Sequence, residues 1–528
     1  MAFTVGRTGI PVAEWSLCIE HMEQAEMSNS LDKLKERLAT VTDLNQAASL
    51  MHHDQETVMP EGAAAARAAQ LGTVSRVAHE LFVADEVGVW LEELQPASED
   101  SGLAAEDRDL VKVAARDYRR KRNLPAEYVD RSTETHILSN EVWRKAREAA
   151  DYEQFLPWLR KCVDLAHEYA DYQGYDEHVY DALLDQFEPD MKAREVEAIF
   201  KPLRAETVRL VKAVADSGMQ LDKSCLTGNF DHATQVNLGR TLVSAFGFDF
   251  SRGRVDEVTH PYCTSFSRDD VRLCTRVYSG EFNVCLFSML HECGHALYDQ
   301  NIDPAWDRTP ITSGCSLGIH ESQSRMWENL VGRGRPFWDW AYPILQAHFP
   351  QFNAVPQETY YRAINGVAPS LIRVEADEVT YNLHIMLRFE LEKAMMEGKV
   401  DLEDLPREWN DRMEEYLGVR PADDAEGVLQ DVHWSFGYLG YFPTYSLGNI
   451  ISVQLYEAAQ RDHPDLEDQF RRGKFDTLLE WMRTNIHRHG RRYTPGELLE
   501  QSIGTGIDAG PYVGYLKSKL NDLYGVSV

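Results

Sequence analysis

Residues 288–298 read Ser-Met-Leu-His-Glu-Cys-Gly-His-Ala-Leu-Tyr and contain the pattern His-Glu-x-x-His. On a helix, His291 and His295 lie one turn apart on the same face, so both imidazoles can point at one metal ion. Glu292 lies beside them, about 100° round the helix, where it can take a proton from a metal-bound water without binding the metal. The apolar residues around the pattern predict a buried helix, and Gly294 lets another backbone approach it closely.

The two histidines need a further ligand, because a catalytic metal usually has three protein ligands and one open position. Glu321 is the best candidate, since it follows His295 with room for a loop and one returning helix. Glu328, two turns later on the same helix face, is the rival ligand, and His320 is a second alternative. A His/His/Glu set predicts one divalent metal per chain, with zinc as the default and cobalt or manganese as alternatives.

The composition excludes several classes of partner. Of the 528 residues, 43% are hydrophobic and 26% are charged, as in ordinary soluble globular proteins. The net charge of −31 predicts repulsion from nucleic acid and from anionic membranes, so neither is expected as a partner. No apolar run approaches the ~18–20 residues of a membrane span.

The cysteines and the N-terminus predict a cytoplasmic protein. None of the eight cysteines forms a Cys-x-x-Cys pair, and thiols scattered through a large chain are typical of a reducing compartment. The first twenty residues lack the continuous apolar core of a secretory signal.

Most of the chain has apolar residues at helical spacing, which predicts a mostly α-helical fold. Leu31, Leu34, Leu38 and Val41 begin this pattern, and Pro60 ends the first helix. Two helices each are predicted within 85–122 and within 125–172. Single helices are predicted at 63–83, 196–214, 236–246, 317–333, 354–365, 371–397, 407–418 and 446–460.

The one clear strand signal precedes the His-Glu-x-x-His pattern. Residues 271–279 alternate apolar and polar side chains, after an extended piece that begins at His260. The free edge of this strand could pair with the backbone of an extended peptide. We interpret residues 1–28 as a loosely ordered extension and residues 29–528 as a single domain, because no low-complexity linker marks a boundary.

Six short blocks carry a resemblance to a known family. They are His260-Pro261-Tyr262, Asp270-Val271-Arg272-Leu273-Cys274, the His-Glu-x-x-His pattern, His320-Glu321-Ser322-Gln323, Ile372-Arg373-Val374-Glu375-Ala376-Asp377 and Gly427-Val428-Leu429-Gln430-Asp431-Val432-His433-Trp434. In this order they resemble the motifs of the thermostable carboxypeptidase Taq family of metallocarboxypeptidases, with Tyr262 in place of Phe and Cys274 in place of Thr. The resemblance runs from about residue 31 to the C-terminus.

This resemblance implies a fold, a site and a reaction. The implied fold is mostly helical and two-lobed, with a long deep groove, one small β-sheet beside the metal helix, and assembly into a homodimer. The implied metal ligands are His291, His295 and Glu321. The implied substrates are peptides with a free C-terminus, from which single residues are removed with broad preference.

Such a reaction needs an activated water, a proton shuttle, an oxyanion stabiliser and a cation for the terminal carboxylate. The metal and Glu292 supply the first two, and Glu292 then passes the proton to the leaving amine. His433 and Tyr445 are the candidates for stabilising the oxyanion, with Tyr438 and Tyr441 as rivals. Tyr441 is also expected to contact the substrate.

Arg373 is the candidate for the terminal carboxylate, because a guanidinium binds a carboxylate through two parallel hydrogen bonds. The alternative is an ordinary helix-surface ion pair with Asp377, a residue that could instead support a metal-binding histidine. His260 is either a polar contact near the substrate or a satisfied turn histidine. Arg272 is expected to tether the strand to Asp270.

The predicted function is therefore a metallocarboxypeptidase. A helical metallo-oligopeptidase or dipeptidase is the alternative that uses the same chemistry. A peptide-binding scaffold with a vestigial site is the alternative without catalysis, and it fits poorly because base, ligands and cation are all present.

Overall fold

The computed structural model describes residues 12–99 and 102–527 and shows a mostly α-helical protein with one small β-sheet, which confirms the predicted fold class. The chain divides into two compact units. The first contains Met1–Arg122 and Pro304–Thr312, and the second contains Asn123–Asp303 and Ser313–Val528. No helix among the described residues is long and apolar enough to cross a membrane.

The first unit has a helical core. The apolar positions predicted from the sequence, Leu34, Leu38 and Val41, are buried, and the first helix ends before Pro60 as predicted. The α-helices described in this unit are α1 (Val12–Thr57), α2 (Ala64–Phe82), α3 (Asp85–Glu99) and α4 (Ala105–Arg122).

The first unit also contains the N-terminal segment and a short segment from later in the chain. The predicted extension over 1–28 lies partly outside the described residues, and α1 already begins at Val12, so the boundary at residue 28 and the single domain beyond it stay predictions. The segment Pro304–Thr312 is tied to α1 by Arg308, whose guanidinium donates two hydrogen bonds to Asp43, at 2.9 and 2.5 Å.

The second unit contains the His-Glu-x-x-His helix, α10. Its α-helices are α5 (Ala126–Ala149), α6 (Tyr152–Gln173), α7 (Val179–Leu184), α8 (Ala193–Asp216), α9 (His232–Phe246), α10 (Asn283–Gln300), α11 (Leu317–Arg325), α12 (Arg335–His348), α13 (Gln357–Ile364), α14 (Tyr381–Met396), α15 (Leu405–Leu417), α16 (Pro443–Asp462), α17 (Leu466–Phe470), α18 (Asp476–Asn485), α19 (Pro495–Ile503) and α20 (Gly510–Tyr524). A π-helical turn, Met326–Val331, continues directly from α11.

The sheet has three strands, β1 (Gly253–Glu257), β2 (Tyr262–Ser267) and β3 (Asp270–Thr275), in the order β1-β3-β2. β1 runs parallel and β2 antiparallel to β3, and α10 packs against β2 and β3. The strand predicted over 271–279 ends at Thr275, so it is shorter than expected. It also has no free edge, because β3 lies between β1 and β2. The edge strand that packs against α10 is β2. Arg272 in β3 donates two hydrogen bonds to Asp270, at 3.0 and 2.9 Å, as predicted.

Helices α10 and α11 come into backbone contact at Gly294, which confirms the close approach predicted there. A Cβ atom at Gly294 would lie 2.4 Å from the carbonyl oxygen of Gln323 and 2.5 Å from the Cα atom of Ser324. Gly448 in α16 is equally tight against α11, since a Cβ atom there would lie 2.4 Å from the Cβ atom of Glu321. Both glycines are required because no other residue leaves room for α11.

Replacement of Gly294 by alanine should lower the free energy of unfolding by about 1–3 kcal/mol, because the new methyl group overlaps backbone atoms of α11. Thermal unfolding followed by circular dichroism measures the effect. Gly514→Ala is the matched control, since Gly514 also lies inside a helix, α20, but has open space around it. Equal stability of the two variants would contradict this account of the helix crossing.

Candidate active site

Helices α10 and α11 bring the three predicted metal ligands together. The ligand atoms of His291, His295 and Glu321 all lie within 4.8 Å of one another, and His291 Nε2 lies 3.7 Å from Glu321 Oε2. Within the described part of the chain, this is the one group of three or more His, Cys, Asp or Glu residues with such spacing. Two imidazole nitrogens and a carboxylate are a donor set that suits a divalent metal.

Both histidines are held at Nδ1, which leaves Nε2 available for a metal. His291 Nδ1 lies 2.9 Å from Glu328 Oε2. His295 Nδ1 lies 2.6 Å from His320 Nδ1, and His320 Nε2 lies 3.2 Å from Asp299 Oδ1. Contacts of this kind fix the orientation and tautomer of a ligand imidazole. The rival ligands Glu328 and His320 thus support the histidines at Nδ1.

The two carboxylates near the histidines share a cation. Arg325 Nε lies 3.5 Å from Glu321 Oε2, and Arg325 Nη1 lies 3.3 Å from Glu328 Oε2. The Ser324 hydroxyl also donates to Glu321 Oε2, at 2.8 Å. Arg325 Nε and the Ser324 hydroxyl thus hold the Glu321 carboxylate in position beside His291, because both contact its Oε2 atom.

Glu292 lies beside the ligand group and is 6% exposed. Burial raises the pKa of its carboxyl to about 7, and the negative charges of Glu321 and Glu328 act in the same direction. A carboxyl with such a pKa can both accept and donate a proton near neutrality. Burial also lowers the pKa of His295 well below its usual range, so this imidazole is neutral, which is the form that binds metals.

A buried cluster of three charges lies in the same unit. Asp431 Oδ1 is 2.9 Å from Arg373 Nη2, and Asp431 Oδ2 is 2.5 Å from Arg388 Nη2. Although burial disfavours its charge, the two guanidinium groups hold the pKa of Asp431 well below its usual range. Two guanidinium groups therefore share the one carboxylate of Asp431.

Tyr381 joins this cluster to the ligand group. Its hydroxyl accepts a hydrogen bond from Arg373 Nη1, at 2.9 Å, and the Arg325 guanidinium lies 4.6 Å from the centre of its ring. Because Arg325 also contacts Glu321, a continuous series of contacts connects Arg373 with the ligand group.

The structure excludes both alternative roles given above for Arg373 and Asp377. Arg373 lies in a 3-10 turn before α14, where its partner is Asp431, so it forms no helix-surface ion pair with Asp377. Asp377 accepts hydrogen bonds from the backbone of Ala368 and from the backbone and hydroxyl of Thr380. It therefore fixes the start of α14 and does not support a metal-binding histidine.

The structure brings His433, Tyr445 and Tyr441 together beside Arg373. His433 Nε2 lies 3.3 Å from the Tyr445 hydroxyl, and the Arg373 guanidinium lies 5.0 Å from the centre of the Tyr445 ring. The rings of Tyr441 and Tyr445 are 5.4 Å apart. Burial lowers the pKa of His433 to about 3, so its imidazole is neutral. The rival Tyr438 stacks on the outer side of this group, 6.1 Å from Tyr441.

His260 is the predicted site residue that the structure does not join to the others. It is exposed in the bend between β1 and β2. No hydrogen bond or ion pair among the described residues connects it to the ligand group, and its role near a substrate stays a prediction.

One residue that the sequence patterns did not predict is the carboxylate that fixes the loop after Trp434. Glu392 is fully buried and accepts hydrogen bonds from Trp434 Nε1, from the Gly440 amide and from the Tyr180 hydroxyl, at 2.7, 3.0 and 2.6 Å. It therefore holds both ends of that loop. A signal was present, because Arg388 and Glu392 interrupt the apolar pattern of α14 one turn apart.

Known proteins resemble this chain over nearly its whole length. Residues 33–520 match the carboxypeptidase Taq (M32) metallopeptidase family. Carboxypeptidase 1 of Bacillus subtilis is 37% identical over 92% of this chain and 97% of its own length. Thermostable carboxypeptidase 1 of Thermus thermophilus is 39% identical over 89% of this chain and 94% of its own length. The crystal structure of an M32 carboxypeptidase from Deinococcus radiodurans R1 has a TM-score of 0.91 and 40% identity, and it covers 94% of this chain and 100% of its own.

Glu328→Gln should weaken the binding of a divalent metal about 10- to 100-fold, because the neutral amide orients His291 less firmly. A zinc titration in competition with a fluorescent chelator measures the affinity. Glu403→Gln is the control, since Glu403 forms an exposed ion pair with Arg160. If both variants bind zinc as tightly as the unchanged protein, Glu328 does not support the site.

Proposed function

Because this chain belongs to the carboxypeptidase Taq (M32) family of metallopeptidases and is a metallocarboxypeptidase, we propose that His291, His295 and Glu321 hold its divalent metal. The spacing of their ligand atoms supports this position. Zinc is the metal that a His/His/Glu set most often holds, and cobalt or manganese are the alternatives. When bound, the metal would supply Lewis-acid chemistry that polarises the scissile carbonyl and lowers the pKa of the attacking water.

Glu292 is the proposed proton shuttle. Its carboxylate takes a proton from the water as the water oxygen attacks the carbonyl carbon. It then gives this proton to the nitrogen of the leaving residue as the C–N bond breaks. The burial of Glu292 next to His291 supports this role, because bulk water competes little for a proton held there.

His433 and Tyr445 are the proposed donors to the carbonyl oxygen, which gains negative charge during the attack. A neutral imidazole and a phenol can each donate one hydrogen, and the two groups already lie within hydrogen-bond distance of each other. Tyr441, whose ring packs on Tyr445, is the proposed contact for the substrate beside them. His260 is the proposed polar contact near the substrate, a role that the family resemblance supports.

The observation that carries the release of single C-terminal residues is that two buried guanidinium groups, Arg373 and Arg388, share the carboxylate of Asp431. Burying a cation is costly, and a terminal carboxylate would give Arg373 a second anionic partner. The contacts of the described residues use Nε and one N–H on each terminal nitrogen of Arg373. One N–H on each terminal nitrogen is therefore left for a carboxylate.

The proposed substrates are peptides with a free C-terminus. The buried Arg373 favours this function over an oligopeptidase, which does not need to recognise the terminal carboxylate at that place. We also propose a homodimer in the cytoplasm. The family resemblance supports the dimer, and the free thiols of the described cysteines support a reducing compartment.

A peptide acid should be cleaved at least about 100-fold faster than its C-terminal amide, because only the acid balances the charge at Arg373. Arg373→Lys should reduce kcat/KM for the acid about 10- to 100-fold, since a lysine cannot form two parallel hydrogen bonds. Mass spectrometry of the released residue measures both effects. Arg272→Lys is the control, because Arg272 forms a paired contact with Asp270 in the sheet. Equal cleavage of the acid and the amide would favour the oligopeptidase.

Glu292→Gln should lower kcat about 100- to 10,000-fold while the protein keeps its metal, because the amide cannot accept the proton of the water. Turnover of a peptide acid and the metal content after dialysis are measured on the same sample. An active Glu292→Gln protein would exclude this residue as the base, and an inactive protein without metal would leave Glu292 with a role in metal binding.

A further inference from the structure

A row of aromatic rings leads outward from Tyr445. The ring centres of Tyr445 and Tyr441 lie 5.4 Å apart, those of Tyr441 and Tyr438 lie 6.1 Å apart, and those of Tyr438 and Phe436 lie 5.8 Å apart. Phe187 lies against this row, 5.0 Å from Tyr441 and 6.3 Å from Tyr438. We call these five residues the aromatic row.

The outer end of the aromatic row is exposed to solvent. The exposed fraction is 46% for Tyr438 and 37% for Phe436, whereas Tyr441 and Tyr445 are half-buried. Single exposed apolar residues are common on proteins, but adjoining exposed rings that continue into a site indicate a surface for a ligand.

The backbone holds these two exposed rings in place. Gly437 lies between them with a φ angle of 72°, and a Cβ atom there would lie 2.3 Å from His136 Nε2. The Tyr438 amide donates a hydrogen bond to the His433 carbonyl, at 3.0 Å. The turn that carries Phe436 and Tyr438 is therefore held by Gly437 and by this hydrogen bond. The conformation of the turn keeps both rings exposed at the surface.

The aromatic row has a direction relative to the substrate. Its inner ring, Tyr445, lies 5.0 Å from the Arg373 guanidinium, which is the proposed position of the terminal carboxylate. An extended peptide advances about 3.3 Å per residue, so one ring spacing corresponds to between one and two residues. For a peptide that runs along the aromatic row, Tyr438, two rings further out, would lie alongside about the third or fourth residue before the C-terminal one.

We propose that Tyr438, Phe436 and Phe187 form an outer subsite that binds an aromatic or large apolar side chain of the substrate, about three or four residues before its C-terminal residue. This inference rests on the proposed function, which places the end of the peptide at Arg373. A substrate ring would cover the exposed faces and pack edge-to-face or offset against them, as aromatic pairs do.

The test uses peptide acids of five residues that contain alanine and a single phenylalanine, moved through each position before the C-terminal residue. The unchanged protein should show a kcat/KM about three- to tenfold higher than for the all-alanine peptide when phenylalanine occupies the outer subsite. Tyr438→Ala and Phe436→Ala should bring this ratio close to one. Tyr172→Ala should keep it, since Tyr172 is 39% exposed and packs on Tyr128 elsewhere on the surface.

Three outcomes overturn the subsite. The first is an unchanged protein without a preference for phenylalanine at any upstream position, and the second is a preference that survives both substitutions. The third is a changed oligomeric state of Tyr438→Ala in light scattering with an unchanged ratio, which assigns the surface to a second copy of the chain. If the unchanged protein releases no residue from any of the acids, the proposed function fails instead.

Discussion

The backbone contact between α10 and α11 at Gly294 determines the geometry of the whole site. α10 carries His291 and His295 and α11 carries Glu321, and these side chains can approach within reach of one ion only if the two helices lie very close together. Gly448 in α16 confines Glu321 from another direction. The ligand positions are thus set by packed backbone, which is the rigid support that a catalytic constellation needs.

Around this crossing the protein buries many charges. Glu321 and Glu328 face Arg325, and Glu328 also pairs with Arg333. In the second cluster, Arg373 and Arg388 share the single carboxylate of Asp431. Buried charges are destabilising unless they are paired, so a terminal carboxylate would add a favourable partner at Arg373. The charges therefore support the proposed direction of the substrate, whereas the spacing of the ligand atoms supports the proposed metal position.

Local patterns allowed part of the site to be predicted. The spacing of His291 and His295 requires only a helix, and that helix was evident from its apolar neighbours. Other features depend on the partners of a segment. The strand that ends at Thr275 was expected to have a free edge, but it is the central strand, because β1 returns parallel to it from an earlier part of the chain. Glu392 was missed for a similar reason, since its hydrogen-bond partners lie far away in sequence.

Residue types at short, fixed spacings were sufficient to predict the mostly helical class, the metal-binding pattern and the family resemblance. The folded chain was needed to show which carboxylates support the ligand histidines, which charge Arg373 contacts, and where the aromatic row reaches the surface. These features depend on contacts between segments far apart in the chain, and such contacts are fixed by the packing of backbones rather than by any local periodicity.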